Sequence, residues 1–592
     1  MLRILLALAM LSPTLSARSI DWRTPAEITD FRQTATLEEV DAYLARLDAL
    51  SESISVVSFG RSGEGRHLPL VIAAEGVEHT PQAAHASGRP IVMLQAGIHP
   101  GENEGKDALL ALLRDLLRTP SETDALKELV LIVVPVYNVD GEARRSAFNR
   151  INQLGPATMG WRTNASNQNL NRDFIKADTP ETRAWLALWG AWKPHLLVDL
   201  HNTDGADFQY DSSWILAEGP HVPPALAQWQ RRSLIEGAFA HVERQGYKLA
   251  PYIQLVDDDE PRKGLAGFVA SARYSTGYAL AHARPGLTIE NHMLKSNQRR
   301  HEVSLALLRA ILVEIARVPD VLPNAIAKAQ AQAKAALFAP EGYPLELKIG
   351  TGSRPMQFLG VEYSRSLSEI SGQPWIQYHP EKPQEWAVPV FDEIEVAATG
   401  QVPAAWLIPA EWSEVIERLA LHGIQSTALT RAIEIEAEFE RAAKITLSAS
   451  SFEGRQMVSE WTLESVRRSR PFAAGSVLVE VDQPLAVLAA QMLQAGAPDS
   501  LARWGLFNAV FEDKEYFEAR VMEKLAREML IAKPDLRTEF EQALADPVFA
   551  GDRNARLRWF YDRSEWADPR RNVIPVARLD VAELAHVKAM LP

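Results

Sequence analysis

Pro90–Leu117, PIVMLQAGIHPGENEGKDALLALLRDLL, constrains this chain more than any other stretch. Ile91–Ala96 is an apolar run of strand length broken only by Gln95, and Gly97 opens a turn behind it. His99 and Glu102 come next, and Asp107–Leu117 then repeats its apolar residues at helical spacing. A buried strand feeding a polar loop and then a helix is half of a βαβ unit. Folds built from such units gather ligands at the carboxyl ends of their strands. An imidazole and a carboxylate at that mouth suit Zn²⁺, which takes N and O donors at about 2.0–2.2 Å. With 14 histidines in 592 residues, however, one His-x-x-Glu arises on the order of once by chance. The pair needs company before it means a metal.

The length allows about three or four domains with sizeable cores. A net charge of −14 argues against nucleic-acid binding as a main role, because that needs basic surface to neutralise phosphates. Met1–Ala17 has an early Arg3, an apolar Ile4–Leu11 and small residues at Ser16 and Ala17, the pattern of a secretory leader too short to span a bilayer. The expected address is therefore periplasmic or extracellular, with no membrane span in the mature chain. The sequence has no cysteine, so any metal site must use His and carboxylates.

Thr36-Leu37-Glu38-Glu39 predicts a capping box opening a helix through about Leu50. Ile54–Phe59 and His67–Ala73 predict a hairpin across Gly60–Gly65, and Leu129–Tyr137 a strand ending in the turn Asn138–Gly141. Glu142–Gln168 is long and irregular, which inside a compact domain is usually functional. Thr179–Trp192 reads as a helix, His195–Leu200 as a strand delivering His201, and Gly286–Ile289 as a strand ending at Glu290. This alternation predicts an α/β domain with a mostly parallel mixed sheet flanked by helices. After the Ala-rich helix Ala325–Ala336 the texture shifts to alternating strands (Ile433–Phe439, Lys444–Ser448, Ser476–Val481) and two helices, Leu485–Leu493 and Glu515–Leu530. The expected division is a leader at 1–17, a catalytic domain at 18–328 and a mixed α+β region of unassigned role at 329–592.

Separate strand ends thus offer His99/Glu102, His201 and Glu290, with Arg162 and Asn171-Arg172 between them. Here the sequence resembles the zinc carboxypeptidases of the carboxypeptidase A type, over roughly Thr34–Ile315. The family's His-x-x-Glu matches His99 and Glu102 in GIHPGENEG, and its third ligand matches His201 in LVDLHN. Its carboxylate-holding Asn-Arg pair matches Asn171-Arg172 in NLNRDF, and its carbonyl-polarising Arg matches Arg162 in GWRTN. The catalytic Glu matches Glu290 in LTIENHM, and Asn138–Gly141 is the family's Asn-Pro-Asp-Gly with Val139 in place of Pro. The resemblance implies one zinc per chain on His99, Glu102 and His201, and a peptide substrate. Glu290 would move the proton of a metal-activated water. Arg162 would stabilise the oxyanion, and Asn171 and Arg172 would grip a C-terminal carboxylate.

The chain departs from the family at Gly101, where an Arg is common, which predicts weaker contacts upstream of the scissile bond. The family's substrate-contacting Tyr is best matched by Tyr274 and next by Tyr278. The pocket floor falls within Ser271–Tyr278, without an obvious acidic anchor. His195, Asp199, His282 and His292 read as structural, and Asp257–Glu260 as a solvated loop. A zinc deacylase of the aspartoacylase or succinylglutamate desuccinylase kind has the same ligand pattern and is the alternative. A peptidoglycan-peptide amidase is a variant of the peptidase reading. Oligomeric state is not legible in the sequence.

Overall fold

The computed structural model describes residues 21–119 and 124–591, so the leader pattern of Met1–Ala17 lies outside the described residues. Thr36 opens the helix Leu37–Leu50 with the expected capping box: its hydroxyl accepts from the Glu39 amide while the Glu39 carboxylate accepts from its own. The hairpin is β1 (Ile54–Arg61) and β2 (His67–Ala73), paired antiparallel. β3 (Ile91–Ala96) coincides with the apolar run. Then come β4 (Val130–Val134), β5 (Leu196–Asn202), β6 (Ser212–Leu216) and β7 (Leu249–Pro251). β8 (Gln254–Leu255) and β9 (Leu265–Ala266) leave the main sheet, and β10 (Gly286–Asn291) returns to it.

Eight of these strands form one sheet in the order β1-β2-β4-β3-β5-β10-β6-β7. The central run β4, β3, β5, β10 is parallel throughout, and antiparallel pairs flank it on both sides. The expected α/β class holds. β3 is buried on both faces. Val92, Leu94 and Ala96 join the cluster built on the helices Glu104–Arg118 and Asn297–Arg317. Ile91 and Met93 join the cluster on the other face, built on the helix Pro180–Trp192. Gln95, the one polar residue in β3, has its Oε1 paired, accepting from the Trp185 indole N–H at 2.6 Å, while its Nε2 is buried without a partner. A lone buried amide there would cost ~1–3 kcal/mol.

From β3 the chain crosses to β4 on one side, then back over to β5 on the other. The carboxyl ends of β3 and β5 are therefore the topological switch point, where loops diverge and leave a crevice. His99 and Glu102 follow β3, His201 closes β5, and Glu290 stands beside His201 in the β5–β10 register.

The second half begins beyond the helix Val321–Ala336. β11 (Tyr343–Ile349) pairs with β14 (Ile394–Gly400), and β12 (Arg354–Leu367) forms a long hairpin with β13 (Pro374–Phe391). β13 also pairs in parallel with β9, so one sheet, β12-β13-β9-β8, is built from both halves. A six-stranded sheet follows from β15 (Ala405–Ile408), β16 (Thr427–Ala428), β17 (Ile433–Leu447), β18 (Val458–Phe472), β19 (Val477–Glu480) and β20 (Ala577–Leu579).

Some local readings shift. The helix after the loop starts at Glu104 rather than Asp107, and β4 ends at Val134. Asn138 caps the short helix Val139–Ala143, where the sequence predicts a turn. The two expected strands Ile433–Phe439 and Lys444–Ser448 are one strand, β17, with an irregularity between Ala442 and Lys444.

Candidate metal centre and active-site cleft

His99, Glu102 and His201 meet at the switch point, all buried, each offering a ligand atom within 4.8 Å of the others. Glu102 Oε1 lies 3.1 Å from His99 Nδ1, and Glu102 Oε2 lies 2.9 Å from His201 Nδ1 and accepts from the Asn202 amide at 3.1 Å. The two rings stand edge to face with centroids 4.9 Å apart. Each imidazole turns its other nitrogen toward an oxygen. His99 Nε2 faces Asn169 Oδ1 at 2.9 Å, and His201 Nε2 lies 3.0 Å from Asp199 Oδ2, off the line of a well-formed hydrogen bond. That arrangement leaves Nδ1 of both rings toward the shared point. His99 Nδ1 is fully buried with no hydrogen-bond partner. Two imidazole nitrogens and one carboxylate around such an orphaned donor are the donor set of catalytic zinc sites, so the residues fit the metal.

The electrostatics agree with converging charge. Burial pulls the His99 imidazole down to about 4, opposed by Glu102. Burial alone would raise Glu102, but His99, Arg150 and His201 hold its carboxyl well below the usual range. Burial also works against a proton on His201, yet Asp199 and Glu102 hold that imidazole above its ordinary value. Burial pushes the Glu290 carboxyl up to about 8, opposed by His201 and reinforced by Glu102, Asp204 and Asp199. A dication among these groups acts in the opposite sense on Glu290.

His99, Glu102, His201, Glu290, Arg162, Asn171, Arg172 and Tyr274 line one cleft, with a volume of about 160 Å³. The Arg162 guanidinium is 3.3 Å from Glu102 Oε1 with its side chain 42% exposed, so it can still turn toward a ligand. Arg172 stacks on the Tyr274 ring at 4.4 Å and donates to the Asn171 carbonyl at 2.7 Å. Asn171 Oδ1 accepts from the Ser275 amide at 3.3 Å, which ties the Asn171-Arg172 segment to the Tyr274 loop. Tyr278, the second candidate tyrosine, is buried away from the cleft and bonds His422 at 2.8 Å. His195 accepts from the Ile91 amide and His292 pairs with Asp207, both within the framework. Asp199, read as structural, sits directly behind His201.

Other contributors were not visible in the sequence. Arg150, from the irregular loop, places its guanidinium 2.9 Å from Glu102 Oε1. Its stem lies across Gly101, where an added Cβ would come within 2.6 Å of Arg150 Cγ. The missing Arg at 101 thus makes room for a cation delivered from elsewhere. Glu104 works beneath the site: it accepts from Asn202 and Asn291, which follow His201 and Glu290, and pairs with buried Arg300. Tyr252 and Phe268, whose rings pack edge to face, add aromatic lining, and Thr288 and Ile215, register partners on β10 and β6, add a hydroxyl and an apolar side chain. Among the described residues no helix is long and apolar enough to cross a membrane.

Residues 40–212 match the zinc carboxypeptidase family. Carboxypeptidase 2 of Trichophyton rubrum is 24% identical over 491 residues, covering 79% of this chain and 83% of that protein. Carboxypeptidase 2 of Trichophyton tonsurans is 24% identical over 466 residues, 75% of this chain and 79% of its own. Alignments of that length run past residue 328 into the second half. Among solved structures, a metallo-carboxypeptidase from Burkholderia cenocepacia has a TM-score of 0.36 at 19% identity, over 48% of this chain and 70% of its own. Carboxypeptidase A of Helicoverpa armigera has a TM-score of 0.36 at 20% identity, over 50% of this chain and 75% of its own. Residues 40–212 are thus similar to a zinc carboxypeptidase domain, and that similarity marks the chain as an enzyme of the metallopeptidase kind.

Proposed function

We propose that this protein removes C-terminal residues from peptides as an exported metallocarboxypeptidase, with one zinc per chain on His99, Glu102 and His201. The observation that carries this reading is the shared cleft, in which Glu290 stands beside the His-Glu-His cluster while Asn171 and Arg172 converge from another loop. Zinc in such a site supplies Lewis-acid chemistry, acidifying water and polarising a carbonyl oxygen. Arg172 offers a planar fork to the substrate's terminal carboxylate, steadied by the Tyr274 ring beneath it, and Asn171 adds a donor. A peptide held by that end presents its last amide bond to the metal centre and places the following residue's side chain toward Thr288 and Ile215. Glu290 takes a proton from the attacking water and passes it to the leaving amine nitrogen. Arg162, half-exposed and free to turn, meets the charge that builds on the carbonyl oxygen. Export rests on the Met1–Ala17 pattern.

Mass spectrometry of a peptide mixture tests the reading. The protein should trim single residues from C-termini, stop when a chelator is present, and resume on added zinc. Glu290→Gln should keep zinc and substrate affinity while kcat falls by at least ~10²-fold, the scale of a positioned acid/base. Release of acyl groups from amino acids with no peptide trimming would favour the deacylase alternative instead.

A further inference from the structure

The metal centre is not held by the first half of the chain alone. The turn between β17 and β18 reaches back to it. At its tip Glu453 takes a left-handed conformation, with φ of +49°, and its Oε2 accepts from the backbone amide of Asn169 at 2.8 Å. Asn169 is buried, and its Oδ1 serves two partners: His99 Nε2 at 2.9 Å and the Asn171 amide at 3.0 Å. One side-chain oxygen thus orients a metal ligand and the start of the carboxylate-binding pair, and the peptide plane feeding that side chain is pinned from the other half.

The turn itself is firmly placed. On one side Arg455 donates to Asp178 through Nε at 2.7 Å and Nη2 at 2.6 Å. On the other, the Phe452 ring stacks on buried Trp504 at 16° between planes, and the Arg273 guanidinium lies 4.9 Å from the Trp504 ring. Asp499, fully buried, accepts from the Arg273 amide at 2.8 Å and from its Nε. Arg273 adjoins Tyr274, so the second half grips both segments that form the carboxylate end of the cleft. Glu453 also favours the charged form of Arg172, which burial pulls down.

We propose that Glu453 is a positioning residue for the metal centre, acting through Asn169 on His99 and Asn171. The second half is on this account a working part of the active site. The inference rests on the zinc reading above. In mechanism, the His99 Nε2–H needs a fixed acceptor if Nδ1 is to stay unprotonated and aimed at the metal. Partners of this kind typically matter 10–100-fold in metal affinity or activity. Without the Glu453 carboxylate the Asn169 amide has no acceptor, and the peptide can turn its side chain off His99. The same change loosens Asn171, so substrate grip and metal retention fall together.

The test uses the full-length zinc-loaded protein and two readouts, zinc loss to a chelator and steady-state kinetics on a free-acid peptide. Glu453→Ala should lose zinc about tenfold more readily and show both lower kcat and higher KM. Glu453→Gln, which retains an acceptor oxygen, should return close to wild type on both. Asp482→Ala, which removes an exposed ion pair to Lys334 away from the Glu453 turn, should leave both unchanged. If the alanine variant does not fold, Glu453→Met, similar in length and without an acceptor, takes its place. A folded Ala or Met variant with wild-type zinc retention and kinetics overturns the proposal, as does a Gln variant as impaired as Ala. If the wild type itself neither holds zinc nor trims peptides, the failure lies with the zinc reading.

Discussion

β3, β4 and β5 of the first half bury every residue, whereas β13 and β18 of the second expose much of their length. The central strands are parallel and covered on both faces, and the hairpins of the second half are antiparallel with a wet side. In the first half neither face of the sheet is free, so chemistry can occur only where strands end. The cleft sits at the carboxyl ends of β3 and β5, where the loops part. In the second half no comparable site forms among the described residues. Several of its polar side chains reach the first half: Glu453 to Asn169, Arg455 and Arg418 to Asp178, Asp499 to Arg273. One half carries the His-Glu-His cluster and its cleft, and the other contacts the segments around it.

Removing residues 329–592 should break this comparison most drastically. One continuous apolar cluster runs from Ile91 and Trp185 to Trp406, Val477 and Trp504, and β9 would lose its partner β13. The remaining chain should show no cooperative melting transition by near-ultraviolet circular dichroism. A soluble, fully active fragment would mean that the second half is only an appendage. Next in size is His201→Ala, which removes one of the three proposed ligands without disturbing the interface. Zinc content should drop from about one per chain to near zero with the melting curve of the metal-free protein kept; retained zinc would show that another residue completes the site.

A smaller effect concerns acid. Burial would raise the Asp178 carboxyl, but Arg455, Lys176 and Arg418 together hold it at about 2 against an ordinary 3.8. A carboxyl depressed in the folded state gives stability that is complete above its unfolded value and is lost as pH falls through the folded one. The wild type should therefore lose part of its interface stability between about pH 4 and 2, and Asp178→Asn should flatten that limb in melting temperature against pH. Parallel acid limbs in both proteins would remove Asp178 from the account.

The central strands and the His and Glu side chains that cluster at their ends were legible because burial on both faces writes a continuous apolar run, and a charged residue closing such a run stands out. Ile91–Ala96 with His99 and Glu102, and Leu287–Ile289 with Glu290, are of this kind. Glu104-Gly105-Lys106 hid the helix start because buried polar residues with distant partners, Arg300 and Glu142, break the apolar spacing. The strand β17 reads as two because Glu440, Arg441 and Lys444 interrupt its apolar alternation where the register is irregular. Arg150, Asn169, Glu453 and Asp499 had no local signal at all. Their roles come from contacts that span the fold, such as Glu453 with Asn169, and nothing in their own neighbourhoods marks them.

The central claim, that the cleft of the first half recognises a free C-terminal carboxylate, is tested most directly with one peptide in two forms. Kinetics on the free acid and on its C-terminal amide, for wild type and for Arg172→Ala, measure the grip of Arg172 alone. The account predicts a wild-type preference for the acid of ~2–4 kcal/mol in kcat/KM, the scale of removing one partner from a charge-assisted pair in a desolvated site. Arg172→Ala should erase that preference, mainly through KM on the acid, and barely change the amide. Equal cleavage of both forms by the wild type would contradict the carboxylate grip and with it the carboxypeptidase reading.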